Sequence, residues 1–359
     1  MQGGGAERVA ALLSNYWAGQ GHELILMPTF SGRGECFYSL DDRVKLDFLA
    51  DRVAGKKRSL RNRLLRLLAL RQVMKEVNPD VILSFLTDVN VAAILAAYGL
   101  KYRLIVSERN YPPAKNVSLV LRNLRRLCYP RAAAVVVQTR QTLGWLQLCC
   151  PKAIGKVIAN PLVLPLSATG SVLNPSKIAD EEAKILLAVG RLHEQKGFDQ
   201  LISVFAKPEI QQYNWTLVIL GEGSERRFLE NLVRKLRLEH SIFLPGRVGN
   251  LEEWYRRADL FVLSSRYEGF PNTLLEAMGH GVPVISFDCN TGPSEMIKHG
   301  FNGYLVEPND LDSLAQRLEE LMVDESFRRR LGWNATVVRE RFSMEGVGHR
   351  WSEVLGLNK

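Results

Sequence analysis

Length and composition already limit what this chain can be. It has 359 residues, of which 46% are hydrophobic and 24% are charged, and its formal net charge at pH 7 is +9. Such a chain is too long for one ordinary hydrophobic core, and its composition is that of a soluble globular protein of about two domains. The most apolar run, residues 89–100, is shorter than the roughly 18 to 20 residues that a membrane-spanning helix needs. The sequence thus predicts no transmembrane segment.

The cysteines and histidines indicate a compartment and argue against a metal site. The five cysteines are odd in number, and neither they nor the six histidines show the spacing of metal ligands. We identify no signal peptide. Thiols that need neither pairing nor a metal fit a reducing compartment, so we predict a cytoplasmic protein.

Short apolar runs alternate with amphipathic helical segments throughout the chain. In the first half, strands are predicted at Leu24–Met27, Val81–Phe85, Leu104–Ser107 and Ala134–Val137. In the second half, strands are predicted at Ile185–Val189, Trp215–Leu220, Ser241–Leu244, Leu260–Leu263, Val282–Phe287 and Tyr304–Val306. Strands that are apolar on both faces and alternate with helices are typical of parallel, doubly wound sheets. We therefore predict an α/β protein with two Rossmann-like domains, 1–160 and 184–340, and a linker over 161–183.

The first half of the chain is strongly basic. Residues 1–160 contain 24 Lys and Arg against 11 Asp and Glu, a net charge of +13, whereas residues 161–359 contain 23 against 27, a net charge of −4. Two segments, 56–75 and 115–131, combine this charge with leucines near helical spacing. Because basic amphipathic helices bind anionic membrane surfaces, we predict such a surface as a partner. A solvated charged face is the alternative; nucleic acid is not expected, since aromatic residues are not interleaved with the basic ones.

Glycine or charged residues follow five successive predicted strands of the second half. They are Gly190, Arg191 and Lys196 after the first strand, Gly221 to Gly223 after the second, Arg247 after the third, Glu268 after the fourth and Gly292 after the fifth. Parallel sheets bind ligands beyond the carboxyl ends of their strands. We expect one crevice to collect these residues, although surface charges on loops would show the same pattern.

The stretch R-Y-E-G-F-P-N-T-L-L-E-A-M-G-H-G-V-P, residues 266–283, contains the start of a predicted helix. Pro271 suits the first turn of that helix, where its missing N–H would be unpaired anyway. The amides of Asn272, Thr273 and Leu274 would then face a ligand, and the helix dipole would favour an anion such as phosphate.

Two carboxylates flank this helix start. Glu276, one turn into the helix, can accept two hydrogen bonds from a diol such as a ribose, while Glu268 can reach hydroxyls at the ligand's other end. Arg191 and Lys196 suit a pyrophosphate. The alternative for both glutamates is a favourable interaction with the helix dipole alone.

These motifs together resemble a known family. The chain closely resembles glycosyltransferase family 4, whose members are retaining enzymes of GT-B fold. Three stretches carry the resemblance: G-G-G-A-E-R-V at the start, then V-G-R-L-H-E-Q-K-G-F-D, and then R-Y-E-G-F-P-N-T-L-L-E-A-M-G-H-G-V-P-V-I. The E-x(7)-E spacing alone is a weak signal, but the motifs occur in the right order over nearly the whole chain. The resemblance implies two Rossmann-like domains facing across a cleft and a C-terminal helix, 341–359, that crosses back to the first domain.

The resemblance also implies a role for each donor-side residue. Arg191 and Lys196 would bind the diphosphate of a nucleotide-sugar and stabilise its negative charge as it leaves. Glu276 would bind the ribose and Glu268 the transferred sugar, so that Glu268, Arg191 and Lys196 form the catalytic centre. Arg247 would lie near the base. The amides near Asn272, Thr273 and Leu274 would face the sugar and phosphates.

Three glycines at the start, Gly3, Gly4 and Gly5, would approach the diphosphate from the first domain, where side chains would obstruct it. The alternative is a flexible tail. Family members begin with a strand that leads into this loop, whereas here only Met1 and Gln2 precede it. We therefore expect the first strand of the N-terminal sheet to be missing. A truncated sequence is favoured over the alternative, an enzyme that lacks this strand and whose activity is in doubt.

The acceptor side has fewer specific marks. Where many family members have a histidine after the strand Leu104–Ser107, this chain has Glu108, Arg109 and Asn110. We predict these three residues to face the acceptor or the sugar.

No metal or other cofactor is expected, since family members usually transfer without a metal. The D-x-D motif of metal-dependent glycosyltransferases is spelled by residues 310–312, but its setting predicts that Asp310 caps a helix.

The predicted function is retaining transfer of a hexose or N-acetylhexosamine, from a nucleotide-sugar that is more often a UDP-sugar in such enzymes, to a lipid-linked glycan acceptor. The enzyme would act in polysaccharide, lipopolysaccharide or glycan biosynthesis, bound peripherally to the inner face of the cytoplasmic membrane. The alternatives are a GT-B sugar-nucleotide enzyme of another type, such as an epimerase, and an inactive membrane-bound scaffold.

Overall fold

The chain folds into two compact units. The computed structural model describes residues 4–29, 38–53, 60–114, 117–168, 170–180 and 182–357. Unit 1 comprises Met1–Pro161 and Met344–Lys359, and unit 2 comprises Leu162–Ser343. Of the segment predicted as a linker, Pro161 is the last residue of the first part of unit 1 and the rest falls in unit 2, where the amide of Leu162 donates to the Phe342 carbonyl at 2.7 Å.

Twelve strands occur in the described residues. They are β1 (Leu24–Leu26), β2 (Val44–Leu46), β3 (Val81–Phe85), β4 (Arg103–Ser107), β5 (Ala134–Val137), β6 (Gly155–Val157), β7 (Lys184–Val189), β8 (Trp215–Leu220), β9 (Ile242–Gly246), β10 (Leu260–Leu263), β11 (Val284–Phe287) and β12 (Tyr304–Val306). All ten predicted strands are present, with ends shifted by up to two residues. The sequence analysis missed β2 and β6, because three residues are too few to show a periodicity.

Sixteen α-helices connect the strands. They are α1 (Gly5–Gly19), α2 (Leu49–Arg52), α3 (Leu60–Val77), α4 (Thr87–Ala96), α5 (Leu119–Cys128), α6 (Arg140–Cys149), α7 (Phe198–Phe205), α8 (Pro208–Gln211), α9 (Arg226–Lys235), α10 (Leu251–Arg257), α11 (Asn272–Gly279), α12 (Pro293–Met296), α13 (Leu311–Val323), α14 (Glu325–Ala335), α15 (Val338–Arg341) and α16 (Met344–Leu355). The count refers to the residues described above. Of the two basic segments, residues 56–59 and 115–116 lie outside them; residues 60–75 belong to α3, and most of 117–131 belongs to α5, which a 3₁₀ turn, Tyr129–Arg131, follows.

Unit 2 is built on one six-stranded sheet in the order β12-β11-β10-β7-β8-β9, with every pair parallel. Its central strand β7 is fully buried from Ile185 to Ala188, and α7, α9 and α13 contribute to the same core. Sequence alternation between apolar strands and amphipathic helices produces this doubly wound arrangement, because each helix buries its apolar stripe on the sheet.

Unit 1 has two parallel sheets where one was predicted. Strands β3-β4-β5-β6 form a four-stranded sheet, and β1 pairs with β2 separately. The C-terminal helix α16 packs in this unit: Trp351 is fully buried in one cluster with Val9 and Leu13 of α1, and Trp17 Nε1 donates to Ser352 Oγ at 3.0 Å. Residues 344–357 therefore complete the unit that begins with α1.

Candidate active site

The strand order of unit 2 creates a crevice at one point of the sheet. The chain runs outward from β7 through β8 to the edge strand β9, then returns to place β10 on the other side of β7. Loops that follow β7 and β10 therefore leave the same edge of the sheet in neighbouring positions. Open α/β sheets bind ligands at such a switch point, because the diverging connections leave a gap there.

The two loops are joined by hydrogen bonds. The amide of Arg266 donates to the Gln195 carbonyl at 2.8 Å, and Gln195 Nε2 donates to the Tyr267 carbonyl at 2.8 Å. Arg266 also forms a two-bond ion pair with Asp199, at 2.9 and 2.7 Å. The hydrogen bond to Asp199 raises the pKa of Arg266; burial acts to raise the pKa of Asp199, but Arg266 outweighs it and lowers that pKa. These contacts fix the two loops against each other in the structure without a ligand.

Gly197 gives the first loop its close approach to the second. Its φ is +62°, and a Cβ at this position would collide with the Ser264 carbonyl oxygen. Only glycine adopts this left-handed conformation at little cost, and here it also ends the short 3₁₀ turn Glu194–Lys196. The turn directs Lys196 towards the second loop, where Ser264 Oγ donates to the Lys196 carbonyl at 2.9 Å.

Two of the three predicted catalytic residues form an ion pair. Lys196 Nζ lies 2.5 Å from Glu268 Oε1, and Ser265 Oγ donates to the same oxygen at 2.6 Å. The side chains of Lys196 and Glu268 are 14% and 8% exposed, so solvent screens the pair only weakly. No residue of the described chain donates to Glu268 Oε2, which leaves that oxygen for a hydroxyl of a ligand.

Arg191 and Arg247 follow two strands of the unit 2 sheet, β7 and β9, that are separated by β8. Arg191 follows β7, is exposed, and forms no side-chain hydrogen bond or ion pair within the part of the chain that the structure describes. Its guanidinium can therefore meet an anion without first breaking another contact. Arg247 follows β9 and is also exposed.

The predicted anion site at the start of α11 has the expected backbone with one change. The helix begins at Asn272, so Pro271 occupies the N-cap position, one residue before the predicted one. Thr273 and Leu274 follow in the first turn, where amides lack partners within their own helix. The Thr273 hydroxyl is buried and has no hydrogen-bond partner among the described residues. The start of the helix thus has backbone donors available for an anion, and its first turn also contains a buried hydroxyl without a partner among the described residues.

Glu276 is held by side chains that the sequence analysis missed. It is 3% exposed, and Tyr255 on α10 donates its hydroxyl to Glu276 Oε2 at 3.0 Å. Tyr255 stacks on His280, with ring centroids 5.1 Å apart, and His280 Nδ1 lies 2.7 Å from the Glu276 carbonyl oxygen. The other ring nitrogen lies 2.7 Å from Glu252 Oε2. His280 follows Glu276 by four residues on the helix, a spacing that signals contact, whereas nothing in the sequence singles out Tyr255.

Glu252 anchors this chain of contacts and gives a pH-dependent prediction. Burial acts to raise its pKa, but the Leu166 amide, His280 and Arg256 together lower it from 4.5 to about 2. Because the folded-state pKa is the lower one, the carboxylate stabilises the fold above about pH 4.5, and the contribution disappears as the pH falls towards 2. We expect Glu252→Gln to lower the free energy of unfolding by about 1 to 3 kcal/mol at pH 7.

Urea unfolding of wild type and Glu252→Gln at pH 7, 5, 4 and 3 measures the difference between their free energies of unfolding. This difference should become steadily smaller below pH 4.5. Glu239→Gln, at an exposed position whose side chain forms no hydrogen bond or ion pair with the described residues, is the matched control. A difference that stays constant down to pH 3 would contradict the assigned cause.

In unit 1, the predicted residue Glu108 sits in a buried hydrogen-bond network at the end of β4. It is 2% exposed, Thr87 Oγ1 donates to its Oε2 at 2.9 Å, and the Tyr129 hydroxyl donates to its Oε1. Asn90 Nδ2 donates to the Ser107 carbonyl at 2.9 Å. Burial, followed by the charge of Glu108, raises the pKa of Tyr129, which therefore stays protonated and keeps its hydrogen bond.

The neighbouring residues Arg109 and Asn110 differ in their surroundings. Arg109 is 6% exposed and donates to Asn160 Oδ1, whereas Asn110 is only half-buried. Both follow a parallel strand at its carboxyl end, the edge where such sheets bind ligands.

Of the three glycines, Gly3 lies outside the described residues. Gly4 is the N-cap of α1, and its amide donates to Glu7 Oε2 at 3.0 Å; Gly5 is the first residue of the helix. The N-terminus of α1 is therefore already capped by a carboxylate.

The D-x-D sequence forms a helix cap, as predicted. Asp310 is the N-cap of α13 and accepts hydrogen bonds from the Ser313 amide at 3.0 Å and the Ser313 hydroxyl at 2.6 Å. Asp312 instead pairs with Lys207 at 2.5 Å. The two carboxylates thus serve local contacts.

Comparison with known proteins places the chain in a family. Residues 3–162 match the family Glycosyltransferase Family 4, and residues 173–338 match Glycosyl transferases group 1. A Campylobacter jejuni protein, "GalNAc-alpha-(1->4)-GalNAc-alpha-(1->3)-diNAcBac-PP-undecaprenol alpha-1,4-N-acetyl-D-galactosaminyltransferase", is 31% identical over 365 residues, which cover 99% of this chain and 96% of the relative. The chain belongs to glycosyltransferase family 4. The resemblance seen in the sequence is confirmed.

Other relatives of this family 4 chain agree with that assignment. The amylovoran biosynthesis glycosyltransferase AmsD of Erwinia amylovora is 28% identical over 98% of this chain and 96% of the relative. Among solved structures, sucrose-phosphate synthase from Thermosynechococcus elongatus has a TM-score of 0.85 at 18% identity, over 98% of this chain and 92% of the other. Anabaena HepE in complex with UDP has a TM-score of 0.79 at 19% identity, over 98% and 96%. These likenesses confirm the predicted GT-B fold.

The Erwinia and Campylobacter relatives described above are named glycosyltransferases, and the protein is an enzyme of this class. The assignment favours sugar transfer over the epimerase and scaffold alternatives. The roles of individual residues stay predictions.

Proposed function

We propose that this family 4 enzyme transfers a hexose or N-acetylhexosamine, with retention of anomeric configuration, from a UDP-sugar to a lipid-linked glycan acceptor. The observation that carries the proposal is the Lys196–Glu268 pair at the switch point of the unit 2 sheet. It holds a cation and a carboxylate side by side, as a ligand with a diphosphate next to a sugar requires.

The proposed donor site uses each group for the charge it carries. Lys196 and Arg191, which has no side-chain partner in the part of the chain that the structure describes, would bind the diphosphate, together with the amides at the start of α11. These cations would stabilise the charge that develops on the leaving UDP, which is an electrostatic role in the transition state. Glu268 Oε2 would accept a hydrogen bond from a hydroxyl of the sugar, and Glu276 would accept hydrogen bonds from the hydroxyls of the ribose. Transfer would require no metal, and the departing phosphate would take the acceptor proton.

A UDP-sugar is supported by the solved structures of similar fold. Anabaena HepE has been crystallised with UDP and with UDP-glucose, and this chain covers nearly all of that fold. The identity of 18 to 19% shows the fold alone, so the nucleotide is part of our proposal.

The titration of wild type and Glu276→Gln with UDP and 2′-deoxy-UDP tests the donor site. If Glu276 binds the ribose, wild type should prefer UDP over the deoxy compound by about 10-fold, the equivalent of about 1.4 kcal/mol. Glu276→Gln should lose most of that preference. Glu230→Gln, on the exposed side of α9, serves as a control that keeps it. Equal binding of both nucleotides to wild type, or no binding of UDP, would refute the assignment.

The acceptor class is supported by the relatives' names. The Campylobacter jejuni relative is named for an undecaprenol-linked glycan, and the Erwinia relative for biosynthesis of amylovoran. We infer that this chain acts in the assembly of a polysaccharide or a lipid-linked glycan, at a membrane. No helix in the described part of the chain is long and apolar enough to cross a bilayer.

A basic, partly apolar surface of unit 1 supports peripheral binding to that membrane. Helix α3 packs on α4, and α4 packs on α5. Large apolar side chains on α3 and α5 are exposed: Leu64 by 58%, Leu68 by 54%, Leu119 by 65%, Val120 by 68% and Leu127 by 62%. Arginines on the same helices flank them, among them Arg61, Arg63, Arg122 and Arg126. Exposed leucines beside arginines are what an interfacial helix presents to anionic lipid.

Vesicle sedimentation tests this surface. We expect wild type to bind vesicles containing about one third anionic lipid and to lose binding at high salt, because the arginine contribution is screened. The triple variant L64S/L68S/L119S should bind at least about 10-fold more weakly, since each leucine contributes up to ~1.5 kcal/mol of burial. The control Leu148→Ser removes a leucine that is 85% exposed on α6 and should change nothing. Equal binding by the triple variant would contradict the proposed surface.

A further inference from the structure

Arg109 is a buried cation whose charge no described residue balances. The residue follows β4 and is 6% exposed, yet the one hydrogen bond that it forms with the described residues goes to the neutral amide oxygen of Asn160. Within the described ranges, its Nε and Nη1 have no hydrogen-bond partner. The guanidinium also lies over the Phe85 ring, 5.1 Å from the centroid.

The carboxylate next to it in sequence does not neutralise it. Glu108 is engaged by the Thr87 and Tyr129 hydroxyls, and the two residues form no ion pair at 4 Å or less. A buried charge without a counter-charge is destabilising, as is a buried donor without an acceptor. In agreement with this, burial lowers the pKa of Arg109 to about 9. A fold retains such a group when something other than stability requires it.

The groups around Arg109 leave further hydrogen-bonding capacity at the same edge of the sheet. Gln138, which follows β5, donates to Asn160 Oδ1 at 2.8 Å and so helps to hold the acceptor of Arg109. Gln138 Oε1 and Ser107 Oγ are buried, and neither has a partner among the residues that the structure describes. Arg109 is thus fixed on one side by Asn160 and Gln138, while donors on its other nitrogens stay unpaired.

We propose that Arg109 is an anion-binding residue of unit 1 that takes a phosphate group of the acceptor, with Asn160 and Gln138 as positioning residues. This inference rests on the proposed function, and it takes the glycan of the acceptor to be joined to its lipid through a diphosphate, as the "PP" in the name of the Campylobacter jejuni relative indicates for that protein. A phosphate supplies the missing negative charge and accepts from several guanidinium N–H groups at once, whereas a neutral sugar does not supply the charge. The source of the phosphate is the acceptor, because unit 2 already presents Arg191 and Lys196 to the donor.

The test uses inorganic pyrophosphate as the probe and the full chain with R191A and K196A, which removes the two donor-side cations. Calorimetric titration of this variant should still detect pyrophosphate binding. Adding Arg109→Met should weaken it at least about 10-fold, whereas adding Arg109→Lys should weaken it less, because the charge is kept. Arg227→Met, the same change at an exposed position of α9, is the matched control. Absence of binding, or binding that Arg109→Met leaves unchanged, would overturn the proposal.

A second measurement separates binding from a structural role. If Arg109 served the fold, Arg109→Met would lower the melting temperature; if it is an uncompensated charge kept for a ligand, removal should raise the melting temperature of the free chain by about 2 to 4 °C. A fall of that size, with normal pyrophosphate binding, would overturn the inference.

A third titration identifies the source of the phosphate. With Arg191 and Lys196 intact, Arg109→Met should bind UDP as wild type does. An equal loss of UDP affinity would overturn the assignment to the acceptor. Failure of wild type to bind UDP, with Arg109-dependent pyrophosphate binding preserved, would instead count against the donor site alone.

Discussion

Replacing Lys196 with alanine should lower kcat/KM for sugar transfer by about 10²- to 10³-fold, the loss typical of removing one preorganised electrostatic group from a reaction centre. Lys196 is the proposed counter-charge for the departing diphosphate. In the free enzyme its ammonium is 2.5 Å from Glu268, inside a site that excludes most water. A charge in such surroundings acts more strongly on a neighbouring phosphate than a surface lysine would.

The same substitution has a second consequence. Without Lys196, Glu268 is a buried carboxylate that accepts a side-chain hydrogen bond from Ser265 alone among the described residues. Removing one member of a buried pair is usually destabilising, so the melting temperature should also fall. Donor affinity and stability should therefore both decrease.

Lys207→Ala is the matched control. Lys207 is also in unit 2 and also pairs with a carboxylate at 2.5 Å, but its partner Asp312 is 94% exposed. Exposed pairs contribute little, so this variant should keep wild-type activity and stability. The test measures how fast each variant transfers a radiolabelled sugar to a lipid-linked acceptor. A Lys196→Ala enzyme within threefold of wild type would exclude Lys196 from the catalytic centre.

Most strands were predictable because their chemistry is local and repetitive. Runs such as Trp215–Leu220 are apolar on both faces, since helices cover both sides of the unit 2 sheet. β2 and β6 are three residues long and partly exposed, so their sequences resemble loops. Their positions follow from pairing with β1 and β5, which is a tertiary property.

The sequence could predict which residues belong to the candidate site, but not which of their side chains contact one another. Strand-end position marks Arg191, Lys196 and Glu268, because parallel sheets bind ligands at that edge. The sequence could not show that Lys196 and Glu268 pair, since the contact joins residues 72 positions apart. Nor could it show Tyr255 behind Glu276, because a tyrosine in a helix usually packs in the core.

The sequence could not predict that the charge of Arg109 lacks a counter-charge among the described residues. A sequence can place an arginine after a strand, but whether a carboxylate meets it depends on the side-chain network around it. Here Glu108 is the adjacent residue and still forms no ion pair with Arg109, because Thr87 and Tyr129 occupy the carboxylate. Unsatisfied buried groups become visible only when the fold is complete.

Glu268→Gln should separate sugar binding from nucleotide binding. The amide is nearly isosteric, and its oxygen can still accept from Ser265, so the loops should keep their arrangement. What is lost is the negative charge beside Lys196 and the stronger acceptor that Oε2 offers a sugar hydroxyl. We expect kcat for transfer to fall by about 10²-fold, as for other charged groups placed at a reacting centre.

The affinity of Glu268→Gln for UDP should be unchanged or higher. In wild type, Glu268 competes with the diphosphate for Lys196. The variant releases that lysine, so UDP should bind as tightly as in wild type or more tightly, while the extra affinity that the sugar gives to a UDP-sugar should diminish. Titrations with UDP and UDP-sugar measure both effects, and Glu230→Gln controls for the loss of one negative charge in the same unit. Parallel weakening of UDP and UDP-sugar would mean that Glu268 only supports the fold of the crevice. An increase in UDP affinity with a loss of transfer would place its carboxylate against the sugar.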